Sequence, residues 1–429
     1  MHVPIMLTVA ENERITRVGA GTPGGSLFRR YWLPAALAEE LPERDGPPIR
    51  VRLLGEKLVA FRDSDGVVGL IEDACPHRRA PMFFGRNEEC GLRCVYHGWK
   101  FDRHGACTDM PSEPADSLFK SKVTITTYPT HEAGGVIWAY LGPAAQQPPV
   151  PDYEWLRAPA THRRVSKTFE HCNWLQALEG GIDTAHSSFA HNERLGDPNW
   201  IRNRDGHPRL DVEKMPYGFR YTSTRNMGED VGNYVRVYNF VMPSMQLRGG
   251  VTSWTGFGQD AMPRLDGHIW MPIDDETTYV YNFMWTLDES RPIDEAWYAM
   301  DEARFGRGAD DLLPGFKLKR NQSNDYHIDR ELQRTKTYTG IAGINTQDFA
   351  LQEGMGAIAD RSHEHLGTSD KAIIAARQLL LEGTNDVEGD RSPRGLDPET
   401  SRTIRPYDAV VAHGEAWQQA FNDHLVAHW

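Results

Sequence analysis

Two cysteines and two histidines in the first quarter of the chain are spaced like ligands of a metal cluster. One residue separates Cys75 from His77, and sixteen residues later Cys94 is followed by His97. In a [2Fe–2S] centre of mixed coordination, two thiolates hold one iron and two imidazoles the other, which raises the reduction potential. The same residues could form a tetrahedral zinc site, but zinc ribbons usually use C-x2-C or H-x3–5-H spacing. The pattern therefore favours a one-electron iron–sulfur centre with mixed Cys and His coordination.

The remaining cysteines do not compete with this interpretation. The chain has five cysteines in 429 residues, too few and too scattered for a disulfide framework. Cys90 and Cys107 could complete an all-cysteine site, but the ferredoxin spacings do not match and both histidines would be idle. We therefore expect Cys90, Cys107 and Cys172 to be small buried or semi-buried side chains, and the protein to be cytoplasmic.

A second group of ligand-type residues lies further along the chain, in the pattern D-x2-H-x4-H formed by Asp183, His186 and His191. Two imidazoles and one carboxylate on one face of a metal form the facial triad of non-haem Fe(II) oxygenases. Asp183 and His186 share a face if they lie on a helix. His191 reaches the same point only if that helix bends or ends. The pattern is weak alone, but downstream of a redox cluster it predicts a mononuclear iron site.

Length and charge indicate what kind of protein carries these sites. A chain of 429 residues exceeds what one hydrophobic core usually serves, so we expect two domains. The net charge of −13 argues against nucleic acid and against anionic membranes as partners. The sequence has no run of eighteen apolar residues and no signal-peptide pattern at its start.

The first region, residues 1–150, contains the cluster motif and reads mainly as short strands, with the cluster domain itself at about 30–143. A Pro- and Gln-rich stretch at 144–159 predicts the boundary to a second region, 160–429. The predicted elements of the first region are a mixed, helix-compatible segment at 27–41, a hairpin at 49–62 and strands at 67–71 and 135–141.

The second region predicts long antiparallel strands combined with helices. Its strands are expected at 235–241, 267–273 and 278–285, and its helices at 369–381 and 408–427. The string G-x-G-x-x-G at 19–24 follows a polar segment and contains Pro23, unlike a dinucleotide-binding turn after a buried strand. A chain without its own nucleotide site needs a separate reductase to supply electrons from NAD(P)H.

The chain resembles the Rieske non-haem iron ring-hydroxylating oxygenases, specifically large subunits of the phthalate 4,5-dioxygenase type. The aromatic O-demethylase for 5,5′-dehydrodivanillate resembles members of the same branch of this family. The resemblance covers essentially the whole chain. Its landmarks are the two cluster motifs and the segments FRRYWLP at 28–34, GGVIW at 134–138 and EGGIDTAH at 179–186.

This resemblance implies an α+β fold, with an all-β Rieske [2Fe–2S] domain and a C-terminal helix-grip catalytic domain. It implies that His186 and His191 bind a mononuclear Fe(II), and that Asp183 bridges a neighbouring chain's cluster and this iron. The third ligand of the family is an acidic residue far downstream. Asp348 is the best positional match, with Asp360 as the alternative.

The implied function is that of a terminal oxygenase that uses O2 and reductase-supplied electrons to hydroxylate an aromatic carboxylate, as in phthalate-type ring dihydroxylation. The alternatives are O-demethylation of a methoxylated aromatic or biaryl acid at the same iron, and a Rieske electron carrier without an iron site. Arginine binds carboxylates bidentately, so Arg236 and Arg248 are candidates to bind the substrate. The resemblance also implies a reductase, with or without a ferredoxin, and a head-to-tail homotrimer or a stacked pair of trimers.

Overall fold

A computed structural model describes residues 6–250 and 262–429, which form eleven α-helices and twenty-one strands. The helices are α1 Val9–Thr16, α2 Pro23–Phe28, α3 Glu154–Arg157, α4 Trp174–Ile182, α5 Ile201–Arg204, α6 Glu295–Phe305, α7 Arg330–Thr335, α8 Ile344–Gly354, α9 Lys371–Glu388, α10 Pro398–Thr403 and α11 Trp417–Ala420. None of these helices is long and apolar enough to cross a membrane.

Eleven strands lie in the cluster region and ten in the catalytic region. The first set is β1 Trp32–Leu37, β2 Ile49–Leu53, β3 Glu56–Arg62, β4 Val68–Glu72, β5 Arg86–Glu88, β6 Gly91–Arg93, β7 Lys100–Asp102, β8 Cys107–Asp109, β9 Thr127–Tyr128, β10 Thr130–Ala133 and β11 Val136–Tyr140. The second set is β12 Arg163–Glu170, β13 Arg209–Met215, β14 Gly218–Asn226, β15 Asn233–Val241, β16 Met245–Gly250, β17 Arg264–Pro272, β18 Thr278–Thr286, β19 Leu312–Leu313, β20 Lys317–Leu318 and β21 Tyr407–Val411.

The cluster region is built from three small antiparallel sheets. Their strand orders are β2-β3-β4-β9, β5-β6-β7-β8 and β1-β11-β10. The central part of β3, which includes Phe61, is fully buried because strands pair with it on both sides. The β5–β8 sheet carries the second cluster loop between β6 and β7, and both cluster cysteines lie in its apolar core together with Trp99.

The catalytic region is organised around one large sheet with the order β13-β14-β15-β16-β17-β18-β12-β20-β19. Strands β17 and β18 pair from Arg264↔Thr286 to Pro272↔Thr278, and most of their residues are buried. Helix α9 packs on β13 and β14, while α4 packs on β17 and contacts α8. The sheet therefore supports α4, which leads into the segment with His186 and His191, and α8, which carries Asp348 near its middle.

The α+β class, with a strand-rich cluster domain and a sheet-and-helix catalytic domain, is confirmed. The hairpin, the strands of both regions and the helix over 369–381 are confirmed, with end shifts of a few residues. The domain boundary at 144–159 stays a prediction.

Two predicted elements are wrong. The helix-compatible segment 27–41 contains strand β1, whose six residues are all buried against β11 and whose register shifts after Pro34. Proline disfavours a helix interior and is tolerated at such an irregularity. The helix over 408–427 is wrong because Tyr407–Val411 forms β21 and pairs with β15. A β-branched segment here gains ladder hydrogen bonds from an available partner strand, which local helical periodicity does not reveal.

Candidate metal centres and substrate pocket

The two cluster loops share one backbone design. The residue four positions after each cysteine donates its N–H to the cysteine carbonyl, at 2.8 Å for Arg79 to Cys75 and 2.9 Å for Gly98 to Cys94. Each cysteine N–H in turn donates to the carbonyl five positions on. Arg79 and Gly98 both have positive φ, 62° and 78°, as a tight reversal requires. The two loops therefore hold the backbone around Cys75, His77, Cys94 and His97 in a fixed conformation.

The four predicted cluster ligands converge at the tip of the domain. Cys75 and Cys94 are 1% and 2% exposed, and their side chains interact directly. The ring centroids of His77 and His97 lie 4.4 Å apart. The Nδ1 atom of His77 is buried and has no hydrogen-bond partner among the described residues. A buried imidazole nitrogen without a partner, beside two buried thiols, fits a [2Fe–2S] cluster with two sulfur and two nitrogen ligands.

Burial, opposed in part by a backbone hydrogen bond and reinforced by Cys94, raises the pKa of Cys75 to about 11. Thiolates are the species that bind iron, so cluster binding must displace a proton here. Trp99 stacks on His77 at 4.3 Å and donates its Nε1–H to Ser112 Oγ, which holds the His77 ring in place. Tyr96 is 55% exposed and lies beside His97. It therefore covers the outer, histidine side of the cluster site and not the sulfur atoms of Cys75 and Cys94.

The second predicted site brings three ligand atoms together from distant parts of the chain. The Nε2 atoms of His186 and His191 are 3.0 Å apart. The Oδ1 atom of Asp348 lies 3.2 Å from His191 Nε2 and 3.6 Å from His186 Nε2. Donors at about 2.1 Å from a metal and at right angles to one another lie roughly 3 Å apart. The three atoms therefore fit one face of an octahedral metal ion, and this donor set suits iron.

Local backbone explains how the D-x2-H-x4-H segment reaches this geometry. Helix α4 ends at Ile182, and Asp183 is extended, with its Oδ1 accepting the Ala185 N–H at 2.7 Å. His186 then begins a 3-10 turn, and a second reversal brings His191 back to it. The helix thus ends before all three residues, and loop reversals, not a shared helical face, bring His186 and His191 together.

The paired glycines before Asp183 are needed for packing. A Cβ atom on Gly180 would lie 1.9 Å from Gln352 Nε2, and one on Gly181 would lie 2.0 Å from Trp270. The end of the flexible Gln352 side chain could move away, but the packed Trp270 ring could not, so the requirement for glycine is strict at Gly181. The glycines thus let α4 approach α8 and β17 closely, which is the approach that brings the histidines to Asp348.

Residues outside the triad hold its members in orientation. His191 Nδ1 donates to Gln347 Oε1 at 2.8 Å, and Gln347 Nε2 donates to the Ile341 carbonyl. This arrangement leaves His191 Nε2 free to act as a metal ligand. Arg225 binds the Ser188 hydroxyl and the Thr184 carbonyl, both at 2.8 Å, and so clamps the histidine loop.

Electrostatics favour charged carboxylates around the histidines. Burial opposes ionisation of Asp348, but His191 and His186 outweigh it and lower the pKa of this carboxyl. Burial would also raise the pKa of Asp183, but His186 outweighs this effect and the pKa of Asp183 is lowered. The Nδ1 atom of His186 lies 3.4 Å from Asp183 Oδ2. Asp348 is therefore an anionic donor, and Asp183 is an anionic acceptor on the opposite side of the His186 ring.

The triad opens into a pocket of about 1360 Å³, including its mouth. Aromatic and aliphatic groups, among them Trp270, Val280 and Phe349, line one part of it. Its other described lining residues include six arginines: Arg202, Arg225, Arg236, Arg248, Arg264 and Arg304. A pocket lined by both apolar and cationic groups suits a flat ring that carries negative charge.

The two predicted substrate arginines differ in their surroundings. Arg248 is ion-paired with Asp266, so its charge is already balanced. Arg236 donates to the Gly249 carbonyl at 2.6 Å and has no carboxylate within ion-pair distance in the described ranges. Arg202 likewise forms no ion pair there, and burial, opposed in part by Glu193 and reinforced by neighbouring arginines, lowers its pKa to about 10. Arg202 also donates to the His191 carbonyl, which links it to the triad.

Several of these residues were missed from the sequence. Gln347 precedes Asp348 directly, yet nothing in its local sequence marks it as a histidine partner. Arg202 lies in the polar segment after His191, and only the fold turns it inward. Glu170, at the end of β12, also lines the pocket. The alternative ligand Asp360 lies apart from the triad, where it caps a 3-10 turn through the Ser362 N–H and is largely exposed.

Comparison with known proteins agrees with these two centres. A Rieske [2Fe–2S] domain model matches residues 31–129, and a model described as LigXa C-terminal domain like matches residues 139–427. The phthalate 4,5-dioxygenase oxygenase subunit of Pseudomonas putida is 39% identical over 96% of this chain and 94% of its own length. The 3-chlorobenzoate-3,4-dioxygenase oxygenase subunit of Comamonas testosteroni is 36% identical, covering 98% and 99%.

A third relative carries out a different reaction by name. The 5,5′-dehydrodivanillate O-demethylase oxygenase subunit of a Sphingobium species is 31% identical over 93% of this chain and 86% of its own length. Among solved structures, Pseudomonas putida CBB5 NdmA aligns with a TM-score of 0.62 at 19% identity, covering 92% of this chain and 100% of that one. The chain therefore belongs to the Rieske non-haem iron oxygenases, as an oxygenase subunit of aromatic ring-hydroxylating or demethylating systems that contains a Rieske [2Fe–2S] cluster and a mononuclear iron.

Proposed function

We propose that this subunit hydroxylates an aromatic carboxylate, by ring dihydroxylation of the phthalate type. The observation that carries this proposal is the pair Arg202 and Arg236, which are half-buried, line the iron pocket and form no ion pair among the described residues. A guanidinium group without an ion-pair partner can bind a substrate carboxylate without first breaking an existing pair. An aromatic acid supplies that charge and also fills the apolar wall. Its ring is then directed toward the triad.

The chain's own residues have separate tasks in this reaction. His186, His191 and Asp348 would hold the iron, which would supply O2 activation with electrons from the cluster. Gln347 fixes the His191 ring, and Arg225 fixes the loop between the histidines. Arg236 and Arg202 orient the substrate carboxylate, while Arg248 stays paired with Asp266 and shapes the wall. The contacts of Gln347, Arg225 and Arg248 are present without a bound substrate, so these residues shape the pocket in advance.

The substrate proposal is tested with Arg236→Met. Losing one charge-assisted pair with a carboxylate costs about 2 kcal/mol, so we expect KM for phthalate to rise roughly thirty-fold with little change in kcat. The matched control is Arg220→Met, on the adjacent strand β14 and outside the pocket, which we expect to leave KM unchanged. An unchanged KM in Arg236→Met would contradict the role of this arginine.

A product screen separates the two reactions. The phthalate and chlorobenzoate relatives support ring dihydroxylation, and the dehydrodivanillate relative supports O-demethylation. Purified subunit with a surrogate reductase is offered phthalate, benzoate and methoxylated aromatic acids. A cis-dihydrodiol from phthalate supports the first proposal. Formaldehyde from a methoxylated acid, with no diol from the others, would replace it by the second.

We further propose that electrons cross between copies of the chain in a head-to-tail trimer. The His77–His97 edge faces outward, and Asp183 is partly exposed, which suits a hydrogen-bonded bridge across a subunit boundary. Asp183→Asn should then keep both metals yet slow reoxidation of the reduced cluster by O2 and substrate, because an amide is a weaker acceptor. A fully active monomer in sedimentation experiments would exclude this arrangement.

A further inference from the structure

A histidine on the wall of the iron pocket, His268, has no task in the reaction described above. It stands on β17, is 7% exposed and lines the pocket beside Trp270, with the two ring centroids 5.4 Å apart. Among the described residues only its Nδ1 atom has a partner, Asn282 Oδ1 on β18, at 2.9 Å. The Nε2 atom has none there and, unlike the buried Nδ1 of His186, retains accessible surface. It is therefore available to a ligand in the pocket.

The hydrogen bonds of Asn282 decide which nitrogen of His268 carries the proton. Asn282 donates its Nδ2–H to the Val280 carbonyl, which leaves Oδ1 toward the histidine. An amide oxygen is an acceptor only, so Nδ1–H of His268 is the donor of the bond between them. In a neutral ring with its proton on Nδ1, the Nε2 atom carries a lone pair. The pocket wall therefore presents a fixed nitrogen acceptor.

The surroundings of this ring keep it neutral. Burial, then Arg248 and Arg307, lower the pKa of His268 well below its ordinary value, and Asp266 and Asn282 oppose them only in part. A second proton on Nε2 would add a cation to a wall that already carries several arginines. The arginines that suit an acidic substrate thus also favour the acceptor form of the histidine.

The strand registers separate His268 from the substrate arginine Arg236. His268 pairs with Gln246 on β16, which pairs with Phe240 on β15, and Arg236 lies four residues before Phe240. The two backbone positions are therefore about 10 Å apart across the strands and about 14 Å apart along them. The guanidinium of Arg236 lies over the Tyr238 ring, 5.0 Å from its centroid, so this side chain extends toward His268. One substituted benzene ring can span what remains.

We propose that His268 selects aromatic acids that carry a ring hydroxyl on the side away from the carboxylate. This inference rests on the proposed binding of an aromatic carboxylate by Arg236 and names the substrate class more closely. The hydroxyl donates to Nε2 of His268, whereas an ether oxygen, a fluorine or a further carboxylate at that point would meet the lone pair with another lone pair. A site built to pair with a hydroxyl rejects an analogue that lacks it, because the buried partner is then left unpaired.

Binding to the oxidised holoenzyme, without reductant, tests this selection apart from turnover. Isothermal titration calorimetry compares 4-hydroxyphthalate with 4-fluorophthalate, and 4-hydroxybenzoate with 4-fluorobenzoate. Fluorine takes the place of the hydroxyl but donates no hydrogen. We expect each hydroxy acid to bind about ten-fold more tightly than its fluoro analogue, which corresponds to one hydrogen bond. Equal affinities within each pair would overturn the proposal.

The variant His268→Phe keeps a flat ring at this position and removes the acceptor. It should lose the preference for the hydroxy acids and still bind the fluoro acids as the wild type does, which would show that the pocket is intact. His207→Phe is the control, because His207 is exposed and lies outside the iron pocket, and it should keep the preference. A ten-fold preference that survives in His268→Phe would overturn the role of this residue.

The variant Asn282→Asp changes the state of the histidine without removing it. A carboxylate beside Nδ1 favours the doubly protonated ring, whose Nε2–H is a donor and no longer an acceptor. We therefore expect the hydroxy acids to lose their advantage over the fluoro acids, with iron content unchanged. The full ten-fold preference in Asn282→Asp would contradict the assigned protonation of His268.

Phenol and fluorobenzene separate this inference from the proposed function. If none of the four acids binds to the wild type, the carboxylate proposal fails. Phenol that still binds more tightly than fluorobenzene in the wild type, but not in His268→Phe, would keep the selection of a hydroxyl by His268. Equal binding of these two uncharged rings to the wild type, together with the failure of the acids, would overturn both proposals.

Discussion

The two metal centres of this chain are positioned in opposite ways. Each half of the cluster site is a loop closed within six residues by its own main-chain hydrogen bonds. The iron site instead joins residues from positions 183 to 348 and depends on helix packing, on paired glycines and on side-chain clamps. A local site tolerates change elsewhere in the protein, whereas an assembled site should respond to substitutions far from the metal. The predictions below test this difference.

Removing an iron ligand should give the largest effect. His186→Ala takes one of three donors from the facial set, so we expect loss of the mononuclear iron and of all product formation. The cluster loops share no contact with this residue, and the EPR signal of the reduced Rieske centre should be unchanged. Metal analysis should find two irons per chain instead of three. Loss of the EPR signal in this variant would contradict the independence of the two centres.

The converse change acts on the cluster alone. A thiolate donates more negative charge than a neutral imidazole, so His97→Cys should lower the reduction potential on the order of 200 mV or destroy the cluster. Redox titration followed by visible absorbance measures the shift. Iron bound by the triad should stay at one per chain, which separate chelation of the two iron types can verify. His104→Cys, on the same domain, is the control and should shift nothing.

A substitution remote from the iron should destabilise the assembled site. Glu179 on α4 is buried and ion-paired with Arg361 and Arg377, at 2.8 and 2.6 Å. Glu179→Gln leaves buried guanidinium groups short of a partner, which costs about 3–5 kcal/mol. The midpoint of urea unfolding, followed by tryptophan fluorescence, should therefore shift to a lower urea concentration. The exposed change Glu382→Gln is the matched control.

The loss of stability in Glu179→Gln should also depend on pH. Burial would raise the pKa of Glu179, but Arg361 and Arg377 outweigh it and lower it. A lowered folded pKa means that the stabilisation is present above the unfolded value and is lost as the pH falls through the folded value. The difference between wild type and Glu179→Gln should therefore shrink in acid. A difference that grows in acid would show that the glutamate is not held as an anion.

The smallest predicted effect concerns the partner of one iron ligand. Gln347→Leu removes the acceptor of His191 Nδ1–H and leaves an apolar side chain that is one atom shorter. Losing such a partner typically weakens metal affinity about 10- to 100-fold. Competition with a chelator measures the iron affinity, and the exposed Gln147→Leu should leave it unchanged. An unaltered affinity in Gln347→Leu would mean that packing alone orients the His191 ring.

The same difference explains what the sequence could and could not predict. Cys75, His77, Cys94 and His97 are recognisable because their spacing alone encodes two loops. The resemblance pointed to Asp348, but no local spacing connects it to the histidines. Arg202, Gln347 and His268 escaped notice because each acquires its role only when α4, α8 and the large sheet pack together.

Secondary structure failed in the same places. The sequence of β1 is compatible with a helix, but the segment forms a strand because it pairs with β11, about a hundred residues away in sequence. Strand β21 is likewise decided by β15. Where a partner strand is available, its ladder outweighs local propensity, and a single sequence does not show which partner is available.

The twin cluster loops also bear on how the enzyme matures. Because each loop closes through its own main-chain hydrogen bonds, all four ligands are presented before any cluster is bound. A scaffold protein that delivers an intact cluster then needs only ligand exchange at the surface and release of the Cys75 proton. The catalytic iron must enter later through the pocket mouth, once helices α4 and α8 have docked. Loading of the two metals is thus two separable events.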